Sequence, residues 1–181
     1  MKFELAINCA RFLLPPSQCW ERGQGGEGLS LPTTYTLQTT TYALLPQVWY
    51  LTADIGCWAG LMPHVHGVEV LDRRGGRTLA RVAARRGWLP VRLTCGFERA
   101  DERHVMHRWY RGRLWRGIVE TWRVAERDDG YVELRVTLQA RGLLARALTR
   151  LVILPLARRQ LEMIDLLATA HRRAREASWP E

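Results

Sequence analysis

Apolar residues in the last third of the chain recur every three or four positions. Leu144, Leu148, Leu151, Leu154, Leu161, Ile164 and Ala168 fall on one stripe between Gly142 and about Arg175, which predicts a single long amphipathic helix. Arg146, Arg150, Arg159, Glu162, Arg172 and Arg173 fall mostly off that stripe. Pro155 lies inside it. A proline there removes one backbone hydrogen bond and crowds the carbonyl of Leu151, so a kink, or a short helix followed by the main one, is expected. Upstream, from roughly residue 65 to 139, the period changes from three-to-four to two, the signature of strands with one buried face.

TYTLQTTTY, from about Thr33, reads as a first strand. Pro46 suits the first turn of a helix that Val48, Trp49, Leu51 and Thr52 continue, and Gly56, Gly60 and Pro63 then leave room only for a second short helix around Cys57 to Leu61. HVHGVEVLD, RTLARVAAR, VRLTCGFER, RHVMHRWYR, LWRGIVETWRVAE and YVELRVTLQA follow as six more strands. Turn residues separate them at Arg73 to Gly76, Gly87 to Pro90, Gly112–Arg113 and Asp128 to Gly130. Val91, Leu93, Cys95 and Phe97 share one face of their strand, as do Val132, Leu134, Val136 and Leu138. The order predicts an α+β chain in which a seven-stranded antiparallel sheet is covered on one face by the terminal helix, with two short helices after strand 1.

The length of 181 residues and 47% hydrophobic content suit one domain with a core of its own. Residues 1–32, with ERGQGGEGLSLP, read as a flexible appendage, 33–176 as the folded domain and 177–181 as a tail. No apolar run approaches the roughly 18 residues of a spanning helix. Glu4, Asn8 and Arg11 interrupt the start, which makes a poor signal peptide, and a cytoplasmic location is expected. Cys9, Cys19, Cys57 and Cys95 have neither metal-type nor disulfide-type spacing, so reduced thiols are expected.

The net charge of +9 rests almost wholly on arginine, Lys2 being the sole lysine. The arginines are spread over every segment, which favours solvated surface over a nucleic-acid face. The terminal helix is the exception. There Arg141, Arg146, Arg150, Arg158, Arg159, Arg172, Arg173 and Arg175 face only Glu162, Asp165 and Glu176, and offer peripheral contact with an anionic surface.

Ala43 to Leu71, with Pro46, Val48, Trp49, Asp54, Trp58, Pro63, Val65, Val68 and Val70, resembles the opening of START-like proteins, the polyketide cyclase/dehydrase and coenzyme Q-binding (SRPBCC) superfamily. Trp122, before the Asp128 to Gly130 turn, takes the place of the tryptophan in that family's late hairpin, and the likeness runs from about Thr34 to Arg173. It implies a helix-grip fold, in which the sheet curls around the last helix and leaves a deep, mostly apolar cavity for a hydrophobic ligand. The scaffold carries many activities, so the likeness speaks to fold more than to function.

Candidate lining residues of such a cavity are Leu93, Cys95, Phe97, Ile118, Trp122, Leu151 and Leu154. If Trp122 faces the helix, the two-residue period brings Glu120 and Arg116 to the same face, as a buried ion pair or a polar anchor for a ligand, unless the strand twists and both reach solvent at the edge. On the neighbouring strand Val105, His107, Trp109 and Arg111 are favoured as the inward face. His107 is then a candidate acid or base, or a satisfied core histidine, and Trp109 a flat wall for a ring. His64 and His66 form an H-x-H pair without a third ligand at recognisable spacing, so they are taken as surface histidines and no metal or other cofactor is expected. Trp88 and Trp115 either line the cavity mouth or cap the core. With no nucleophile elbow, phosphate loop or H-E-x-x-H present, the first functional expectation is a carrier or sensor of a lipid, quinone or polyketide. A polyketide cyclase or aromatase using His107 with Glu120 or Arg116 is the second, and a ribosome- or protein-binding module the third.

Overall fold

The structure, a computed structural model, describes residues 32–177. The expectations for the N-terminal appendage and the tail therefore lie outside the described residues, save Pro32 and Ala177. Strands β1 (Thr33–Thr41), β2 (Val65–Arg74), β3 (Arg77–Arg86), β4 (Leu89–Ala100), β5 (Val105–Arg111), β6 (Ile118–Glu126) and β7 (Val132–Ala140) form one sheet in the order β1-β7-β6-β5-β4-β3-β2. Every neighbouring pair is antiparallel. Five of the six neighbouring pairs are joined directly along the chain; the first strand alone crosses over to pair with the last, which makes β1 and β2 the two edges.

Helices α1 (Leu45–Ala53) and α2 (Trp58–Leu61) link β1 to β2, with Pro46 in the first turn of α1 as the sequence predicts. At the β2–β3 hairpin Gly75 and Gly76 adopt φ of 50° and 76°, the left-handed values that a two-residue turn needs to match the twist of its strands.

The terminal helix does not break at Pro155. Helix α3 (Leu143–Leu148) runs through a π-helical turn, Thr149–Ile153, into α4 (Leu154–Ala177). The Leu154 N–H bonds to the Thr149 carbonyl, five residues back, and this widened turn carries the chain past the proline without a break. The extra residue also rotates everything before it around the helix axis. Leu144 and Leu151, expected on the inward stripe, are 53% and 57% exposed, and Ala145, Thr149, Val152 and Ile153 face the sheet instead. Beyond the proline the predicted stripe holds, with Leu161, Ile164 and Ala168 fully buried.

The helix is fastened along its length. The Arg150 guanidinium donates to the Tyr35 hydroxyl at 3.0 Å, and Thr169 and His171 contact Thr41 and Gln47 at 3.1 and 2.8 Å. Near its end, Tyr42 donates to Glu176 at 3.0 Å while Arg172 lies 3.5 Å over the Tyr42 ring.

Candidate functional site

The centre of the fold is built on β5 and β6. Cross-strand partners in an antiparallel pair share a face, and the register pairs Arg108 with Glu120 and Met106 with Trp122. Since β6 turns Ile118, Glu120, Trp122 and Val124 inward, β5 must turn Met106, Arg108 and Tyr110 inward too, and all seven are buried. Glu120 is the acceptor of the cluster. Arg108 Nε donates to its Oε2 at 2.7 Å and Arg108 Nη2 donates to the same oxygen. Trp122 Nε1 donates to Oε2 at 2.8 Å, and the Tyr110 hydroxyl donates to Oε1. The guanidinium carbon sits 5.6–5.7 Å from the ring centres of Trp58, Tyr110 and Trp122, where the negative faces of the rings favour a cation.

Burial opposes the charge on Arg108, but Glu120, with Tyr110 and Cys95, outweighs it and holds the guanidinium firmly protonated. Burial pushes the Cys95 thiol up to about 12, partly offset by Arg108, and likewise carries Tyr110 well above its usual value. At neutral pH the cluster therefore contains one paired cation, a neutral thiol and a neutral phenol. Both carboxylate oxygens of Glu120 already accept donors, which leaves it ill placed to take a further proton from a substrate.

Two recesses open at the surface. One, of about 380 Å³, lies beside α1 and is lined by Pro46, Trp49, Tyr50, Asp54, Arg99 and His104. The other, of about 360 Å³, lies between α4 and the β2–β3 edge, with Pro63 and Met163 as apolar wall and His64, His66, Arg85, Arg159 and Glu162 as polar wall.

His64 is only 8% exposed. Burial first, then Arg159 on α4, Arg108 on β5 and neighbouring His66, lower its pKa to about 4. An unfolded histidine titrates near 6.5, so the unfolded chain binds the extra proton first and stability should fall as pH drops from about 6.5 to about 4. At roughly 1.4 kcal/mol per unit the loss is up to about 3 kcal/mol. Urea unfolding of wild type and His64→Asn at pH 7 and pH 4.5 measures it: the variant should lose less stability between the two pH values. Parallel losses in the two proteins would remove His64 as the cause.

Several sequence expectations are corrected here. His107 and Trp109 point outward, not inward: His107 is exposed and bonded to Thr121 at 3.1 Å, and Trp109 lies against the outer face. Gly96 stands opposite Trp109 in the β4–β5 register, and a Cβ at Gly96 would meet the Trp109 ring at 2.1 Å, so the absence of a side chain there creates the seat for the indole. Arg116 is not a strand residue. It lies exposed in the turn before β6, which begins only at Ile118, and the partner of Glu120 is Arg108. Leu151 is exposed through the π-turn, while Leu154 is partly buried against the core. Leu93, Cys95, Phe97, Ile118, Glu120 and Trp122 are all inside. His64 is a buried residue and not a surface one, and His66 is exposed. Trp88 is 88% exposed and caps nothing, whereas Trp115 packs 6.3 Å from the Tyr110 ring.

The family likeness implies a deep cavity between sheet and helix. At the level of β4 to β6 Trp58, Phe97, Met106, Arg108, Tyr110 and Trp122 are buried there, and the two recesses open at the surface. Arg108, Tyr110 and His64 are the residues that sequence reasoning missed. A cross-strand search for a cation opposite Glu120 would have found Arg108.

A curved antiparallel sheet closed by one long terminal helix defines the helix-grip class, and solved structures agree. An aromatase/cyclase, ZhuI from Streptomyces sp. R1128, superposes with a TM-score of 0.69 at 19% identity, covering 83% of this chain and all of that one. The di-domain aromatase/cyclase StfQ of the steffimycin pathway gives 0.62 at 18% identity, over 77% of this chain and 46% of that one. Ara h 8.0201 gives 0.62 at 13% identity, over 77% and 99%. At such identities the likeness is one of fold. No curated protein matches the sequence. The family model described as polyketide cyclase/dehydrase and lipid transport matches residues 43–164, and the chain belongs to that family. Among the described residues no helix is long and apolar enough to cross a membrane.

Proposed function

We propose that this protein binds a hydrophobic small molecule of the lipid, quinone or polyketide kind as a carrier or sensor. The ligand's polar oxygens sit in the recess between α4 and the β2–β3 edge. The observation that carries this is the make-up of that recess. Pro63 and Met163 offer apolar contact, and Arg85 and Arg159, which form no ion pair among the described residues, outnumber the one carboxylate of the lining, Glu162, and so favour a carboxylate or enolate. At about 360 Å³ it lies at the lower end of the roughly 300–1,000 Å³ range of ligand pockets, which suits one ring system or the head of a chain and not a whole lipid. Keeping His64 uncharged limits the cost of leaving it buried beside two arginines.

Binding is favoured over cyclase or aromatase chemistry by the roles of the interior groups. A general base must have an acceptor within hydrogen-bond reach of the substrate proton. His107 faces away from the interior, and Glu120 already accepts four hydrogen bonds from three side chains.

Thermal melts with quinones, fatty acids and aromatic polyketides, each acid beside its methyl ester, test the reading. A ligand at 100 times its Kd stabilises by about 2.7 kcal/mol, a rise of roughly 5–10 °C for a chain of this size. Acids should outperform their esters. A flat response across the panel overturns the proposal.

A further inference from the structure

The two ends of the sheet differ sharply in charge. At the end where β1, β2, β4 and β6 begin and β3, β5 and β7 finish, the chain runs RRGWLPVR (85–92), RGRLWRG (111–117) and ARGLLAR (140–146). These stretches hold three, three and two arginines and no aspartate or glutamate. At the opposite end DRRGGR (72–77), ERADERH (98–104) and ERDDGYVE (126–133) carry the acids, and the ion pairs Arg74–Asp72, Arg77–Glu98, Arg99–Asp101 and Arg127–Asp129.

The arginine end also carries the two most exposed large apolar side chains among the described residues. Trp88 is 88% exposed at the tip of the β3–β4 hairpin, Leu143 is 83% exposed at the helix start, and Leu114 and Leu144 are more than half exposed. Gly117 accepts a hydrogen bond from the Arg141 N–H at 3.0 Å, which holds the β5–β6 turn against the helix start. Since β5 stops opposite Thr94, the hairpin from Leu89 to Leu93 runs five residues beyond it, roughly 16 Å at 3.3 Å per residue.

We propose that this end docks on an anionic lipid bilayer, with Trp88, Leu114, Leu143 and Leu144 entering the interface and the surrounding arginines meeting lipid phosphates. Apolar side chains with an amphipathic indole at the tip are what an interface accepts, and basic side chains next to them draw the protein to negatively charged lipid. A nucleic acid would use the arginines but would gain little from exposed leucines. Four residues lining the recess between α4 and β2–β3 lie at the same end, Pro63 and His64 just before β2, Arg85 next to last in β3 and Gly87 just after it, so a docked protein would hold this part of the recess near the bilayer.

Co-sedimentation of the full chain with vesicles of phosphatidylcholine alone, and of phosphatidylcholine with 30% phosphatidylglycerol, tests this. Binding should be at least tenfold tighter to the anionic vesicles and weaken steeply with salt. Arg113→Glu with Arg116→Glu should weaken it roughly fivefold or more per charge. Trp88→Ala and Leu143→Ser should each weaken it several-fold at unchanged melting temperature, while Arg127→Glu at the far end should have no effect. Equal binding to both vesicles, or full binding by the Trp88 and Leu143 variants, overturns the proposal. So does displacement by a duplex oligonucleotide to which the Trp88 variant binds like wild type, since that pattern belongs to a nucleic-acid face.

Discussion

Glu120→Ala should lower the unfolding free energy by about 3–5 kcal/mol, because it leaves a buried guanidinium without its counter-charge. The loss extends to two neutral groups, since the Tyr110 hydroxyl and the Trp122 indole also donate to this carboxylate. Fully buried donors without acceptors cost roughly 1–3 kcal/mol each unless the cluster relaxes. A double-mutant cycle isolates the pair. Arg108→Met with Glu120→Gln removes both charges and leaves an acceptor for Tyr110 and Trp122, so the double variant should be more stable than Glu120→Gln alone. The coupling should reach about 2 kcal/mol, in the upper part of the range for residues sharing one hydrogen-bonded network. Urea unfolding measures it, and additive losses would show that Arg108 and Glu120 do not depend on each other.

Trp58→Ala should cost about as much, 3–5 kcal/mol, by removing a large side chain that is 1% exposed. Its ring meets Phe97 edge-on at 5.6 Å and lies 5.7 Å from the Arg108 guanidinium carbon, and its N–H donates to the Leu51 carbonyl at 3.1 Å. Truncation therefore takes away packing, a face for the cation and a partner for a backbone carbonyl together. It should also open an indole-shaped void beside Arg108. Added indole should then restore several degrees of melting temperature to the variant and none to the wild type, as small aromatic molecules do for engineered apolar cavities. A variant that melts like wild type, or ignores indole, would show that this part of the interior is not closely packed.

Most of the sheet was readable from the chain because its strands bury one face, and a buried face imposes a period of two. Leu93, Cys95 and Phe97, and the run from Val132 to Leu138, leave no choice of side. Strand β5 is different. Each of its faces carries an aromatic residue and an arginine, so alternation alone does not choose between His107–Trp109 and Arg108–Tyr110. The choice is made by long-range partners, Glu120 across β6 for Arg108 and the bare backbone of Gly96 across β4 for Trp109. Sequence spacing sees neither.

The start of β6 was misread for a local reason. Gly112 and Gly117 both adopt positive φ, 108° and 89°, and bracket a turn that the apolar Leu114 and Trp115 disguise as strand. In the helix the stripe failed only before Pro155, where the π-turn adds a residue that a fixed 3.6-residue period does not anticipate. The Arg108 site was thus half visible. Glu120 was found on its correct face, but its partner, sought four residues away on the same strand, lay across the sheet.

The most direct test of ligand binding beside α4 is photo-crosslinking with a diazirine-bearing fatty acid, followed by mapping of the labelled peptides. The account predicts saturable labelling, competed by unlabelled acid, concentrated on residues 63–66 and 159–163. Labelling that does not saturate, or that falls elsewhere on the chain, would contradict it.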